Sequence, residues 1–360
     1  VPVIWNGHVL IGDGLGLVHC LELHSGRRLW RLQAAPAQRR MLWYGHLVNT
    51  WPITGAMSVD DNGVAYVLAG YQPENGVHAY AVDIATGELR WQRHDLGSGF
   101  EYGVDGTIGN YGDTCIADGR LWIAASLMVP PTLDLDDGKL TLIPNNRKTS
   151  LKRRGITVAA LADDWVITGG RRLSTTHDLL MTGDKGCGWS VYRADNTYEP
   201  ETIGGIDVIK KIKLAPIWDA QLMVTASQDE GGIRAFSRTD MEAAFQTAFA
   251  SPATCKPWVK PVLDTALPEV EALWGPTDKD TVIVGMVLAA DALLWCRGEP
   301  DQEGLLMERW FLEALDRKSG TVRWSVALPE QPIYDGITID RDGRILVVMR
   351  DGSVALYQTL

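Results

Sequence analysis

A chain of 360 residues with 46% hydrophobic content is long enough to bury a full core, and its aromatic weight sits in 14 Trp rather than in 5 Phe. Its net charge of −11 gives no electrostatic drive toward nucleic acid or an anionic membrane surface, and short basic runs such as Lys152-Arg153-Arg154 and Lys210-Lys211 read as solvated strand or loop faces. No apolar run approaches the roughly 20 residues that cross a bilayer, so no transmembrane segment is expected.

The elements follow one another as short strands joined by tight turns. The first group runs from Val3 through Asn6-Gly7 to strands His8 to Gly12, Leu17 to Leu23 and Arg27 to Leu32. The second repeats it from Ala56 through Asp61-Asn62-Gly63 to Val64 to Ala69, Val77 to Asp83 and Glu88 to Arg93. A third spans Thr114 to Ile116, Arg120 to Ala125, Leu133 and Leu140 to Ile143; a fourth, degenerate, spans Val158 to Leu161, Trp165 to Thr168 and Trp189 to Ala194. In the fifth, Leu214 to Trp218, Gln221 to Ala226 and Gly232 to Arg238 precede a short helical segment, Met241 to Phe249. The sixth comprises Thr281 to Leu288, Ala292 to Arg297, Trp310 to Asp316 and Thr321 to Ala327, and the seventh Gly336 to Asp340, Arg344 to Arg350 and Ser353 to Gln358.

Three of these groups close on the same pattern: Leu23 to Trp30, Asp83 to Trp91 and Asp316 to Trp324 each join two strands through a Ser/Thr-Gly turn and end in Trp. The hydroxyl residue bonds the turn backbone, Gly accepts a positive φ, and Trp supplies a large apolar plate. A supersecondary unit used many times predicts a repeat architecture. Four antiparallel strands per unit predict an all-β fold: a single β-propeller domain over residues 1–360 with about seven blades. Residues 247–280 are an inserted interblade loop. The seventh blade lacks its outer strand, and Val1 leads straight into an inner strand with neither initiator Met nor signal sequence. A processed or truncated chain is expected, with upstream residues supplying the missing strand and an eight-bladed parent a further option.

Strand direction puts two kinds of connection on opposite faces. The inner-to-second and third-to-outer turns are uniformly tight, as at Asn6-Gly7, Thr86-Gly87 and Ser319-Gly320. The others are long: 33–54, 94–112, 144–155, 169–188, 247–280 and 298–306. Loops beyond about 12 residues are uncommon unless they serve a function, so the long-loop face is the candidate working face.

Candidate residues fall on it in two clusters. Arg39, Arg40, Trp43, Tyr44 and His46 gather cations, aromatics and an imidazole in one interblade connection, the equipment of a groove for an acidic glycan or a peptide; the alternative is a loop that plugs its own channel by aromatic packing. Arg171, Arg172, His177 and Asp178 lie in the most irregular stretch, where His beside Asp suits a metal ligand or an oriented base and a solvated loop explains it equally. Asp335, ahead of an inner strand, faces either the channel or a turn. Gly12-Asp13-Gly14-Leu15-Gly16 is a strand-to-strand turn rather than a nucleotide loop, since no helix follows it. Cys20, Cys115, Cys187, Cys255 and Cys296 form an odd set without CxxC or CxxCH spacing, so buried free thiols are expected, with Cys187 the one to inspect for pairing. No metal site is expected.

The Trp-closed Asp-x-x-Thr/Ser-Gly-x-x-x-Trp segments at 83–91 and 316–324, with the variant at 22–30, resemble PQQ-like (quinoprotein alcohol dehydrogenase-like) β-propeller repeats. The resemblance makes Trp30, Gly87, Trp91, Gly320 and Trp324 structural members of a tryptophan-docking motif, and is closer to the noncatalytic bacterial members than to the dehydrogenases. It implies a periplasmic or secreted protein that binds or scaffolds a protein or carbohydrate on the long-loop face, with no cofactor. Two alternatives stand beside it, a carbohydrate-active lyase or hydrolase working in the propeller funnel and a divergent quinoprotein oxidoreductase holding PQQ with calcium. The dehydrogenases sandwich their quinone with a vicinal Cys-Cys ring, which this sequence lacks.

Overall fold

In a computed structural model, the residues described are 2–43, 46–55, 57–71, 75–94, 96, 108–110, 112–124, 130–141, 157–161, 165–169, 188–193, 206–210, 216–227, 232–250, 269–275, 281–300, 307–340 and 342–358. They form two compact units, Val1–Val208 with Pro252–Thr265, and Ile209–Ser251 with Ala266–Leu360.

In the first unit, β1 (Val3–Trp5), β2 (His8–Gly12), β3 (Leu17–Glu22) and β4 (Arg28–Gln33) make one antiparallel sheet. A two-stranded hairpin follows, β5 (Arg40–Trp43) and β6 (His46–Asn49). The next sheet holds β7 (Ser58–Val59), β8 (Val64–Ala69), β9 (His78–Asp83) and β10 (Leu89–Arg93); the third holds β11 (Thr114–Ala117), β12 (Arg120–Ile123), β13 (Thr132–Asp134) and β14 (Leu140–Thr141). The fourth is β15 (Thr157–Leu161), β16 (Trp165–Gly169), β17 (Gly188–Arg193) and β18 (Ile206–Lys210).

The second unit opens on a three-stranded sheet, β19 (Ile217–Trp218), β20 (Leu222–Ser227) and β21 (Gly232–Ser237), and helix α1 (Arg238–Ala250). The sheet of β22 (Val282–Leu288), β23 (Ala292–Pro300), β24 (Met307–Asp316) and β25 (Val322–Ala327) comes next. Last is β26 (Pro332–Ile339), β27 (Ile345–Met349) and β28 (Val354–Tyr357), three-stranded among the described residues.

The core lies between successive sheets. Leu10, Val18 and Cys20 of the first sheet pack on Ala65, Val67, Tyr80 and Val82 of the second, while Leu121, Ile123 and Leu133 of the third meet the second sheet's other face. A strand covered on both faces cannot alternate apolar with polar. Accordingly β9 is buried at five of its six positions, with Ala79 and Ala81 leaving room for the neighbouring sheets. Outer strands alternate or are exposed throughout, as β25 is.

At three places an indole ties one sheet to the next. The Trp30 indole N–H donates to the Ile84 carbonyl at 2.8 Å, Trp91 donates to Leu135 at 2.7 Å, and Trp274 donates to Arg317 at 2.7 Å. Each acceptor follows the acidic residue that opens a third-to-outer turn. Four residues after that acid stands a Gly at positive φ, where an added Cβ would fall 2.8 Å from the Trp30 ring at Gly87, 2.8 Å from Trp91 at Gly138 and 2.4 Å from Trp274 at Gly320. Only a residue without a side chain lets the turn lie flat on the indole. The acid closes the turn: Asp83 Oδ1 accepts from the Ala85 and Thr86 amides and the Thr86 hydroxyl, and Asp316 Oδ1 does the same for Lys318 and Ser319.

Several elements depart from the sequence reading. Connection 33–54 carries the β5–β6 hairpin rather than a plain loop, because Arg-Met-Leu-Trp and His-Leu-Val-Asn pair in register from Arg40↔Asn49 to Trp43↔His46. The fourth sheet gains β18, which carries no closing Trp. Hairpin β23–β24 reaches Pro300↔Met307, well past the expected Arg297 and Trp310. Trp274, inside the expected 247–280 loop, bridges Ala235 and closes the fifth sheet; helix α1, capped where the Asp240 amide donates to Ser237 Oγ at 3.3 Å, stands between that Trp and β21.

Candidate functional site

In the first unit the interblade connections and second-to-third turns meet at one end. The Asn49 amide donates to the Gly14 carbonyl at 2.8 Å, Ile53 to Asp13 at 3.0 Å, Gly70 to Pro52 at 3.0 Å and Asn110 to Tyr71 at 3.1 Å. The Asp13 turn is itself firm, because Oδ1 accepts from the Leu15 and Leu17 amides at 2.9 Å and Oδ2 meets His19 Nε2 at 3.1 Å. This is the turn that the Gly12–Gly16 spacing predicted.

On that base stands the β5–β6 hairpin. Its root is fixed: Thr50 donates to the Arg39 carbonyl through N at 2.7 Å and through Oγ1 at 3.0 Å, and Asn49 Nδ2 donates to Ala37 at 3.0 Å. Asn49 and Thr50 are buried at 0% and 3% exposure, whereas the paired Leu42 and Leu47 are 73% and 64% exposed. Arg39 and Arg40 are exposed at the root. A rigid arm thus presents an aliphatic pair beside two cations.

Next to it lies a buried polar corner that sequence reasoning did not single out. His78, 8% exposed, opens β9; its Nδ1 is 3.3 Å from Nδ1 of the exposed His94, and the Trp51 ring meets it edge-on at 6.0 Å. Burial, reinforced by His94, lowers the His78 pKa, which keeps the ring neutral near pH 7. Trp51 donates to the Asn75 carbonyl at 2.6 Å, Tyr80 to Ala34 at 2.6 Å and Asn110 Nδ2 to Gly70 at 3.3 Å. The only sequence signal was His at the head of a strand, which a half-exposed rim residue gives as readily.

The second unit holds a buried ion pair of its own. Glu313, 3% exposed, receives Arg297 at both oxygens at 2.9 Å, the Trp295 indole N–H at 2.9 Å and Ser325 Oγ at 2.8 Å. Burial alone would raise its pKa; Arg297 and Ser325 outweigh it and hold the carboxyl below its usual value. Arg297 also donates to Glu299 at 2.7 Å and stacks 4.7 Å from the centre of the Phe311 ring. Both Glu313 oxygens are fully engaged within the sheet, by Arg297, Trp295 and Ser325, which marks the carboxylate as a packing group.

Of the residues singled out in the sequence, Arg39 and Arg40 stand at the hairpin root. Trp43 and His46 are backbone partners at its tip, and Tyr44 lies outside the described residues. Arg171, Arg172, His177 and Asp178 also lie outside them, as does Cys187. Asp335 is exposed within β26, not ahead of it, at a positive φ of 55° where the pairing with β27 is interrupted between Pro332 and Ile337. That irregular backbone places Asp335 at a bulge.

Cys20, Cys115 and Cys296 are unbridged, and burial pushes their thiols up to about 11, 12 and 12. Such thiols are poor ligands and nucleophiles at neutral pH. Among the described residues no group of three or more His, Cys, Asp or Glu side chains stands together as a metal site.

Sheets of this kind, packed face to face in series, define a β-propeller. Among solved structures the chain is similar to the C-terminal WD40 domain of Sif2 (13% identity, TM-score 0.52, covering 98% of this chain and 78% of that one). It is similar also to the β-propeller domain of Cps50 (Swd1) from Myceliophteria thermophila (12%, 0.50, covering 98% and 94%) and to BamB from Moraxella catarrhalis (15%, 0.48, covering 100% and 96%). No curated protein matches the sequence. A family model does, over residues 1–247: the chain belongs to the PQQ_2 repeat family, described as outer membrane protein assembly factor BamB.

Proposed function

We propose that this protein is a noncatalytic binding and scaffolding propeller that works outside the cytoplasm and grips a protein partner through the β5–β6 hairpin. Membership of a family described as an outer membrane assembly factor supports the scaffold role and the compartment. The observation that carries the reading is the hairpin itself, with a hydrogen-bonded root and strands that leave the paired Leu42 and Leu47 at 73% and 64% exposure. Exposed aliphatic pairs on a rigid support lose little conformational entropy when they become buried. Leu42 and Leu47 offer an apolar contact that suits a protein partner. Arg39 and Arg40 add a preference for acidic groups at the partner's rim.

The test places a photo-crosslinking residue at position 42 or 47 in cells of the source organism. A discrete protein adduct is expected, lost when Leu42→Asp and Leu47→Asp are combined and weakened by Arg39→Ala with Arg40→Ala. Adducts that survive these changes, or crosslinks confined to glycan, would overturn the assignment. A protein fractionating with the cytoplasm would overturn the compartment.

A further inference from the structure

Strand register in the first unit brings two imidazoles together. Gln92 pairs with Tyr80 and Arg93 with Ala79, so His94 comes next along the chain opposite His78, which itself pairs with Ala69. The ring centres are 5.4 Å apart with an interplanar angle of 57°, and the two Nδ1 atoms face each other at 3.3 Å. From this pair we infer that His78 and His94 bind a divalent transition-metal ion through their Nδ1 atoms, and that the ion the geometry suits is zinc.

The spacing makes the choice. Imidazole nitrogens sit about 2.0–2.1 Å from zinc, so two of them at a tetrahedral angle stand about 3.3 Å from each other. Adjacent corners of a square-planar copper or nickel site, with bonds of the same length, stand about 2.9 Å apart. The observed separation is that of the tetrahedron. It is also long for a hydrogen bond, whose heavy atoms cluster at about 2.9–3.0 Å. Such a bond would use one of the two facing lone pairs, whereas an ion uses both. Among the described residues no third His, Cys, Asp or Glu joins the pair, so solvent oxygens complete the sphere.

Burial supplies an independent observation. His78 is 8% exposed, and its Nε2 has no hydrogen-bond partner among the described residues. A buried imidazole whose polar contact is one long approach to another imidazole is poorly satisfied. An ion on Nδ1 replaces that approach with a coordinate bond. Both rings are also held from the side. Trp51 meets His78 edge-on at 6.0 Å and donates its N–H to the Asn75 carbonyl at 2.6 Å, while Tyr80 meets His94 edge-on at 5.8 Å and donates its hydroxyl to Ala34 at 2.6 Å. Walls fixed in this way keep the two nitrogens at the ligating distance before an ion arrives. His94 is exposed and gives the ion its entry from solvent.

The test titrates zinc chloride into the full 360-residue protein by calorimetry and repeats the titration with cobalt(II) in the visible spectrum. The affinity for one zinc ion should fall at least tenfold in His94→Ala and stay unchanged in His24→Ala, which removes another exposed imidazole. Cobalt should give the strong visible absorption of a tetrahedral site and lose it in His94→Ala. Zinc should raise the melting temperature of the native protein and leave that of His94→Ala where it was. Because His94 is exposed, His94→Ala should melt like the native protein without zinc, so lost binding is not lost fold. With seven His in the chain, nitrogen-15 spectra should show zinc moving the Nδ1 signals of two imidazoles, those that His78→Ala and His94→Ala delete. Zinc affinity indifferent to His94→Ala, an octahedral cobalt spectrum, or zinc-shifted imidazoles other than these two would overturn the assignment.

Discussion

Truncating the two closing Trp residues of the second unit separates a docked indole from an undocked one. Trp274→Ala removes a ring that is 8% exposed, lies against the Gly320 turn and donates to Arg317 at 2.7 Å. Burying and then deleting such a side chain costs about 3–5 kcal/mol including the cavity, with the lost hydrogen bond contributing about 1 kcal/mol of that sum. Trp324→Ala removes a ring that is 39% exposed, for which about 1 kcal/mol or less is expected. For a unit of this size the first change should lower the melting temperature by about 10 °C and the second by about 3 °C or less. Circular dichroism melts, with hydrogen exchange at 312–315 to report the second unit alone, would measure both. Equal losses, or a larger loss for Trp324→Ala, would refute the idea that the indole contributes through the neighbouring turn.

The Gly under the indole should show the same contrast. Gly320→Ala and Gly26→Ala each place a Cβ at a positive φ (69° and 66°), costing about 1 kcal/mol. Gly320→Ala must also displace Trp274, adding about 2 kcal/mol, so in urea melts it should be clearly the more damaging. Glu313→Gln should cost about 3 kcal/mol by leaving the half-buried Arg297 undercompensated. Since the folded Glu313 carboxyl titrates below its unfolded value, its stabilisation is present above about pH 4.3 and lost as pH falls through the lower folded pKa; the variant should lack that acid-dependent component in pH-stepped melts. His78 runs the same way through burial: with a folded pKa below about 6.5, it contributes stability above that pH that is lost as acid is added. His78→Gln should flatten the slope between about pH 6.5 and 5 by up to about 1.4 kcal/mol per pH unit, and an unchanged slope would refute the buried neutral ring.

Residues such as Asp83, Thr86, Gly87 and Trp91 made the architecture legible because each does its work within a few positions of its own place in the chain. The Asp caps the turn, the hydroxyl braces it and the Gly supplies its φ, so the repeat shows in the string of letters. The outer strand β18 and the closing role of Trp274 were not legible. The first carries no closing Trp, and the second is separated from its sheet along the chain by a helix and a long insertion, so only its seat against Gly320 identifies it.

The candidate site divides along the same line. Sequence alone marked Arg39 to His46 as unusual, because cations and aromatics in a long interblade connection stand out by composition. That the segment is a hairpin with a buried Asn49–Thr50 root, and with Leu42 and Leu47 exposed, depends on hydrogen bonds to Gly14 and Ala37 that no local pattern encodes. Local chemistry thus determined the repeat, the turns and the blade-like sheets. Which indole is docked, which turn stands open and which apolar pair meets solvent were decided by tertiary packing, because each depends on what a neighbouring sheet places within a few ångströms.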